Sequence, residues 1–414
     1  MKTVVIGGGA AGLISSCFRA LNGDDVLLIE KNEKLGKKLY VTGKGRCNVT
    51  NDCDVDGFLK NVVTNARFLT GAAYRFPPEK FKEWLSRKVP LKTERGGRVF
   101  PVSDKSSDII RALEAYAREA GVKIRLNEKV LSVDVSDGRI TGVTTDKERI
   151  ACDAAIVCTG GKSYPATGSD GDGYRFAELA GHTVVPPKPA LTGINLKGDF
   201  YKEVQGLTLK NVSLTVFSGG KKIYSDFGEM LFTHFGVSGP IVLSASSFLN
   251  KTDLSQGMLV LDMKPALTEK QLDDRILRDF TKYKNKKLKN SLDDLLPKSM
   301  IPVVIAASGV NGDTPNNSLK AEERRSLLNA IKAFKMFPAS LRDIAEAIVT
   351  SGGVSVKEID PKTMESKLVK GLYFAGEVID TDALTGGFNI SVAACTAYAA
   401  GNAGNRAEKT EKGR

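Results

Sequence analysis

The chain reads as an α/β protein built on a doubly wound parallel sheet, and three observations predict it. Gly7, Gly9 and Gly12 form a G-x-G-x-x-G between the strand Thr3-Val4-Val5-Ile6 and an apolar helix ending near Gly23. A second strand, Asp25–Ile29, delivers Glu30 and completes a first βαβ half. In the final third, Gly371–Glu377 is a strand running into a glycine turn with an acid, the other half of a dinucleotide site. In the opening motif Gly7 permits the tight turn, Gly9 lets the backbone approach a pyrophosphate, and Gly12 lets helix and strand pack closely. The helix start at Ala10 and Ala11 offers free N–H groups and partial positive charge to phosphates. Glu30, followed by Lys31, stands where a carboxylate accepts from an adenosine ribose diol and repels a 2′-phosphate.

The next elements follow in order. Lys34, Lys37, Lys38, Lys44 and Arg46 make a basic cluster that leads through the loop Thr42–Asn48. Because it adjoins the nucleotide site, Lys38, Gly45, Arg46, Cys47 and Asn48 join the expected cofactor set, with ordinary surface charge as the alternative. Helical segments are expected near Val55–Tyr74 and Pro78–Arg87, and Ser106 opens an amphipathic helix through Ala120 that Gly121 stops. Val122–Leu126 reads as a strand. Val130–Val135, Ile140–Thr144 and Arg149–Cys152 form a β-meander, with Asp137-Gly138 turning the first into the second. The buried strand Ala154–Cys158 then ends in Thr159-Gly160-Gly161. A meander that returns to a Thr-Gly strand end belongs to flavoproteins of the FAD-binding doubly wound type, whereas a nicotinamide dehydrogenase continues with βα units. Val130, Thr159 and Gly160 are therefore added to the cofactor set.

Pro186, Pro187 and Pro189 mark a boundary, since proline runs disfavour regular structure. Beyond it, Leu207–Phe217 and Lys222–Asp226 read as a hairpin around Ser218-Gly219-Gly220, Gly228–Pro240 is glycine-punctuated, and Met258–Met263 is a strand. Helices are expected at Glu269–Lys284, Leu292–Ala307 and Leu319–Phe334, the last capped by Ser318 with Glu322. Gly376 and Glu377 then carry a carboxylate to the ribityl chain. Thr385–Ile390 opens a small-residue helix whose first residues, Gly387, Phe388, Asn389 and Ile390, aim backbone amides at the flavin pyrimidine edge. The fold class is thus a doubly wound FAD-binding domain, Rossmann-like and of the two-dinucleotide type, with inserted β-rich and helical domains. The expected boundaries are 1–189 and 350–407 for the split FAD domain, 190–265 for the β-rich domain and 266–349 for the helical domain, with a frayed tail at 408–414.

Bulk properties agree with a soluble enzyme. The chain has 414 residues, 42% hydrophobic and 26% charged. No apolar run approaches the roughly 18 residues of a membrane span, and the apolar start is cut by glycines, so neither an anchor nor a signal peptide is expected. Six scattered cysteines without a CxxC pair point to a reducing cytoplasm and to no metal site. The net charge of +12 favours an anionic partner, whether nucleotide, carboxylated substrate, RNA or membrane surface. A second basic run, Lys282, Lys284, Lys286, Lys287 and Lys289, reads as a solvated face.

Several segments together resemble the YhiN/BaiN-like flavoproteins, also called the aminoacetone oxidase family. They are Lys34–Leu39, Thr42–Asn51 with its Gly-Arg-Cys-Asn, Gly160–Pro165, Leu231–Pro240 with its Thr-His-Phe-Gly, Thr350–Val354, Thr363–Lys367 and Phe374–Glu377. They run in order along nearly the whole chain. The resemblance implies non-covalent FAD, a discontinuous FAD domain, a β-domain and a helical domain. One stretch departs from the family's pattern: Phe388 stands where a tyrosine is usual and Ser391 where a glutamine is. FAD binding through backbone amides survives that change, while chemistry through those side chains is put in doubt.

Members are associated with different reactions, and the resemblance implies a choice among them. One is reduction of conjugated double bonds in 3-oxo bile acids, another reduction of uridine to dihydrouridine in large-subunit ribosomal RNA, and a third amine oxidation. A binding-only, ribosome-associated flavoprotein is a further alternative. In the first two, NADH or NADPH is the reductant, hydride reaches the β-carbon of an enone-like system, and an acid protonates the α-carbon. The preferred substrate is a small, anionic enone, for which Phe227, Met230, Leu231 and Phe232 are expected to furnish an apolar slot. The possible donors are His234 in its glycine-rich segment, Tyr164 after the Gly-Gly turn, and Cys47, whose thiol Arg46 would acidify. His182, at a helix end, is expected to be structural.

Overall fold

In the computed structural model, residues 1–403 are described, and the expected tail at 408–414 lies outside them. The first compact unit runs from Met1 to Pro189 and resumes at Ile344; the second is Ala190–Asp343.

In the first unit β1 (Lys2–Ile6), α1 (Ala10–Leu21) and β2 (Asp25–Ile29) form the opening βαβ half. Then come β3 (Lys123–Arg125), the meander β4 (Val130–Ser136), β5 (Arg139–Thr145) and β6 (Arg149–Ala151), and β7 (Ala154–Val157), followed by α2 (Asp172–Leu179) and β8 (Val184–Ala190). Apart from Thr3, the buried residues of β1 and β7 are all apolar, as expected of strands covered on both faces.

The second unit contains β9 (Ile194–Leu196), β10 (Thr208–Ser218), β11 (Lys221–Thr233), β12 (Gly236–Ser238), α3 (Pro240–Leu249), β13 (Gly257–Asp262), α4 (Glu269–Lys282), α5 (Met300–Ser308), α6 (Ala321–Lys332), β14 (Phe334–Met336) and β15 (Pro338–Leu341). The chain then returns to the first unit with β16 (Val349–Val354), β17 (Leu372–Phe374) and α7 (Phe388–Gly401).

The central sheet of the first unit is parallel, in the order β17-β7-β1-β2-β3. Ile6 pairs with both Ile29 and Val157, so the carboxyl ends of three neighbouring strands are level. Gly7, Glu30 and Cys158–Thr159 leave that edge together, which is where open α/β sheets bind ligands. Residues Val184–Ala190 contradict the expectation of irregular structure at the prolines. They form β8, paired only with β16, and a two-strand sheet leaves the free edge on which proline is tolerated.

The second unit has one seven-stranded antiparallel sheet, β14-β13-β10-β11-β12-β9-β15, and one hydrophobic core shared by strands and helices. The β-rich segment 190–265 and the helices after it are therefore a single unit, because β14 and β15 return from beyond α6 to complete the sheet. The hairpin is longer than its sequence pattern: β11 runs straight through Gly228, where a Cβ would lie 2.8 Å from Ile241 Cγ2 on α3. Helix α5 begins at Met300 rather than Leu292, after Pro297, and at the start of α6 Glu323 Oε2 accepts from Lys320 N at 2.8 Å, in place of the expected cap by Ser318 with Glu322. The Val55–Tyr74 helix is two helices, Val55–Lys60 and Ala66–Arg75, parted at Asn65, whose φ is 56°. Among the described residues no helix is long and apolar enough to cross a membrane.

Candidate functional site

The opening glycines each have a distinct steric reason. Gly7 has a φ of 103°, and a Cβ there would meet Cys158 O at 2.6 Å. A Cβ on Gly12 would lie 1.8 Å from Gly7 O, so only glycine lets α1 seat against β1. At Gly9 a Cβ would meet nothing within 4 Å: the space above it is open and suits a pyrophosphate. Helix α1 has no side-chain cap at Gly9, and α7 has none at Gly387, so both present unsatisfied backbone N–H groups. Gly376 sits between the two helices, its missing Cβ 2.8 Å from Ala11 Cβ in the first turn of α1 and 3.7 Å from Ala393 Cβ in the second turn of α7. Two helices with uncapped starts thus flank one glycine turn at the sheet's carboxyl edge.

Glu30 is buried, and its carboxylate accepts from Gly8 N at 2.7 Å, Asn32 N at 2.8 Å and Asn32 Nδ2 at 2.6 Å. A carboxylate has about four acceptor positions, so one on Oε2 is left for a ribose hydroxyl. Nothing in the sequence pattern marks Gly8 or Asn32 as partners of Glu30. A Cβ on Gly8 would crowd Leu35 Cδ2 at 2.4 Å and Glu30 Cβ at 3.2 Å. Lys31 turns away from the glycine loop to Asp170 at 2.7 Å and Asp172 at 2.9 Å. Val130 is buried at the start of β4. Thr159 has a buried hydroxyl without a partner, and a Cβ on Gly160 would crowd Ser169 Oγ at 2.8 Å.

Lys38 and Glu377 meet in an ion pair at 2.6 Å. Lys38 Nζ also donates to Ser163 Oγ at 2.7 Å, and Glu377 Oε1 accepts from Ser163 Oγ at 3.0 Å and Thr350 N at 2.9 Å. Ser163 and Thr350 lie in the family segments, but nothing local in the sequence marks either of them as a site residue.

The loop Thr42–Asn48 differs from expectation. The Arg46 guanidinium stacks 4.0 Å from the Phe100 ring centroid and pairs with Glu94 and with Asp104, the latter at 2.9 Å, so it neutralises protein acids. Cys47 is fully buried, and burial pushes its thiol up to about 12. The expectation of an acidified, catalytic thiol is therefore corrected: desolvation outweighs the opposing hydrogen bond with Thr42, and Arg46 faces other carboxylates. Gly45 is exposed on this loop, and the Asn48 Oδ1 is buried without a partner.

At the start of α7, Gly387 has a φ of 94° and a Cβ there would lie 2.4 Å from Thr50 O. Asn389 latches the preceding loop, accepting from Ala383 N at 2.9 Å and donating to Ala383 O at 2.7 Å. Phe388 is buried and Ile390 half-buried in the first turn. Ser391, the departure from the family's pattern, is buried and shares a 2.8 Å hydrogen bond with Thr50 Oγ1.

Tyr164 is half-buried beside Ser163 with a φ of 52°, a left-handed conformation costly for a side chain of its size. His234 is exposed on the turn between β11 and β12, its ring edge-on to Phe235 at 5.1 Å. His182 is buried, bonded to Ser366 Oγ at 2.7 Å and 3.3 Å from Glu358, the structural role expected. The apolar slot is corrected in part: Met230 and Phe232 are wholly buried in the second unit's core, while Phe227 is 53% exposed and Leu231 half-buried on the other face of β11.

The glycine edge, meander and uncapped helices define an FAD-binding Rossmann-type fold, that of flavoprotein oxidoreductases. The chain matches the HI0933-like protein Rossmann domain over residues 1–403 and belongs to that family, which includes the YhiN/BaiN-like flavoproteins. It is 29% identical over 404 residues to the 3-dehydro-bile acid delta(4,6)-reductase of Clostridium scindens, covering 96% of this chain and 98% of that one. It is 30% identical over 399 residues to the ribosomal RNA dihydrouridine synthase of Escherichia coli, covering 96% of each. In fold it is similar to the 3-ketosteroid-Δ4-(5α)-dehydrogenase of Rhodococcus jostii, with a TM-score of 0.51, 16% identity and 96% coverage of both chains.

Proposed function

We propose that the protein binds FAD non-covalently, takes electrons from NADH or NADPH, and reduces a carbon–carbon double bond conjugated to a carbonyl in a small, anionic enone such as a 3-oxo-4-ene or 4,6-diene bile acid. The observation that carries the cofactor is the pair of helices with uncapped starts flanking Gly376. Gly9 and the α1 N-terminus would hold the pyrophosphate, Glu30 the adenosine ribose, Glu377 the ribityl chain, and the amides of Phe388 to Ile390 the pyrimidine edge. Bound flavin supplies the hydride. The chain supplies orientation, exclusion of water and a proton, and Tyr164 and His234 are the two donors carried forward.

The relatives' names support double-bond reduction, since a dihydrouridine is a uridine whose ring double bond has been reduced. A small acceptor is favoured over RNA by the second basic run. Lys282 pairs with Asp294 at 3.0 Å, and Lys287 and Lys289 share Asp313 at 2.9 and 2.8 Å, so three of its five lysines already have a carboxylate partner that a phosphate track would have to displace. The chain has no second complete G-x-G-x-x-G unit, so the nicotinamide visits the flavin and leaves before the acceptor binds, giving parallel-line kinetics.

The test is anaerobic. Purified yellow protein is reduced with NADH or NADPH, then offered a 3-oxo-4,6-diene bile acid or ribosomal RNA. Reoxidation by the bile acid alone is expected, with Tyr164→Phe and His234→Ala identifying the donor by which one slows it. If only RNA reoxidises the flavin and gains dihydrouridine, the RNA reading replaces this one. If neither does, the binding-only reading gains, and turnover of a primary amine with oxygen would point to an oxidase.

A further inference from the structure

The Thr-Ser-Gly-Gly segment of β16 carries no role in the reading above, yet its geometry is tightly constrained. The strand is pressed between two backbones. A Cβ on Gly352 would lie 2.6 Å from Pro186 O in β8, and a Cβ on Gly353 would lie 2.6 Å from Val378 O, just after Glu377. Val354 N donates to Val378 O at 2.9 Å, and Asp380 N donates to Val354 O at 3.0 Å. The glycines therefore dock β16 directly against the segment that carries Glu377.

The two residues before those glycines reach the site loops. Thr350 is fully buried, and its hydroxyl is saturated: Oγ1 accepts from Lys162 N at 2.8 Å and Ser163 N at 3.1 Å and donates to Ser163 Oγ at 3.3 Å. Its own N–H holds Glu377 Oε1. Ser163 Oγ, having accepted from Thr350 and Lys38, gives its proton to Glu377. Gly161 is shaped by the same hub, since a Cβ there would lie 2.4 Å from Thr350 Oγ1 and 3.1 Å from Glu377 Oε1. Ser351 is also buried and donates to Asp382 Oδ1 at 2.8 Å; the backbone carbonyl of Asp382 accepts from Val63 N and Thr64 N ahead of α7.

We infer that Thr350 is a positioning residue for the cofactor, its hydroxyl fixing the Gly161–Ser163 turn so that Ser163 and Lys38 hold Glu377 in one orientation. Ser351 does the corresponding service for the Asp382 loop. This rests on the FAD reading of the site. In the fixed arrangement Lys38 spends its three N–H groups on Ser163 and the two Glu377 oxygens, and Glu377 Oε2 keeps an acceptor position for a ligand hydroxyl. Losing the Thr350 hydroxyl frees two amides and one hydroxyl in a buried place, so the turn and the Lys38–Glu377 pair lose their common anchor.

The test compares wild type, Thr350→Val and Thr350→Ser. Amide hydrogen exchange on the apoprotein should show faster exchange at Lys162 and Ser163 in T350V and wild-type exchange in T350S. FAD affinity, by quenching of flavin fluorescence, should fall about tenfold in T350V and return in T350S, as expected for the loss of two or so hydrogen bonds. The flavin midpoint potential should move to a more negative value in T350V, because Glu377 is less completely neutralised there. If T350V does not fold, Ser163→Ala is measured in its place, with the same loss of affinity and negative shift expected. Wild-type exchange at Lys162 and Ser163, or unchanged affinity and potential in T350V or S163A, overturns the inference. Failure of wild type to bind FAD overturns the FAD reading instead, and the exchange measurement still decides whether Thr350 anchors the turn.

Discussion

Two lysines, one in each unit, stand in basic runs that look alike in the sequence and are neutralised in opposite ways. Lys38 pairs with Glu377, 339 residues further on, at 2.6 Å, with both side chains about four-fifths buried. Lys282 pairs with Asp294, 12 residues further on, at 3.0 Å, with side-chain exposures of 61% and 42%. The first contact joins the two halves of the split domain and shares Ser163 and Thr350; the second is a local pair in water. Cation density along the chain therefore carries little information about function. What separates the two runs is the sequence distance and burial of the partner, since an exposed pair is screened and mobile while a half-buried one is tied into hydrogen bonds that set its geometry.

The most direct way to break that contrast is Lys38→Met. It leaves Glu377 with one fewer neutralising partner among Ser163 and Thr350, and should lower stability by about 1–3 kcal/mol, a figure already reduced for the residual exposure of the pair. FAD affinity should fall with it. Urea unfolding of the apoprotein and flavin titration read the two effects separately. Adding Glu377→Gln to Lys38→Met should recover much of the stability, because the stranded charge is gone, and a double variant worse than the sum of its parts would contradict the pairing.

How far the sequence could reach follows the same rule of distance. The first βαβ half was legible because its determinants are local: the spacing of Gly7, Gly9 and Gly12 and the strand ending at Glu30 all lie within one supersecondary unit. The family segments were legible as a set, and they do gather, with Lys38, Ser163, Thr350 and Glu377 forming one cluster. The partners were not legible. Nothing near Arg46 announces that Glu94 and Asp104 will claim it, and nothing near Cys47 says that it will be buried beyond reach of water. Likewise, Gly228 looks like a strand break until α3 is seen to pack on it, and the prolines of β8 look irregular until the strand proves to have a single partner. In each case tertiary packing overrode a sound local preference.

A middle-sized effect comes from His182, another contact over a long sequence distance. Ser366 Oγ accepts from Leu368 N at 3.0 Å and Val369 N at 2.8 Å, so its proton goes to His182 Nε2, and the ring is neutral with its own proton on Nδ1 facing Glu358. Burial holds the imidazole below its ordinary value of about 6.5, outweighing the opposing pull of Glu358. A histidine depressed in the native state contributes its full stability above the unfolded value, and that contribution is lost as pH falls, because the unfolded chain takes up the proton first. Urea midpoints should therefore decline between pH 7.5 and 5.5 in wild type, and His182→Gln should flatten the decline across that window. A midpoint that rises on acidification would show that Glu358 dominates the ring.

The smallest effect should come from the exposed run. Lys282→Ala, alone or with Lys287→Ala, removes pairs that solvent already screens, so neither the thermal midpoint nor FAD affinity should change measurably. Reduction of a small enone should also be indifferent to them, and nearly indifferent to added salt. The same variants sharpen the choice of substrate, because recognition of a polynucleotide would spend these cations on phosphates. Each phosphate contact contributes about 0.7–0.9 to the slope of log affinity against log salt. Enzyme whose activity on ribosomal RNA falls steeply with salt, and less steeply once Lys282 and Lys287 are gone, would mean that Asp294 and Asp313 release their lysines on binding. The exposed run would then be a poised surface, and the contrast with Lys38 would be one between a site held permanently and a site assembled by its ligand.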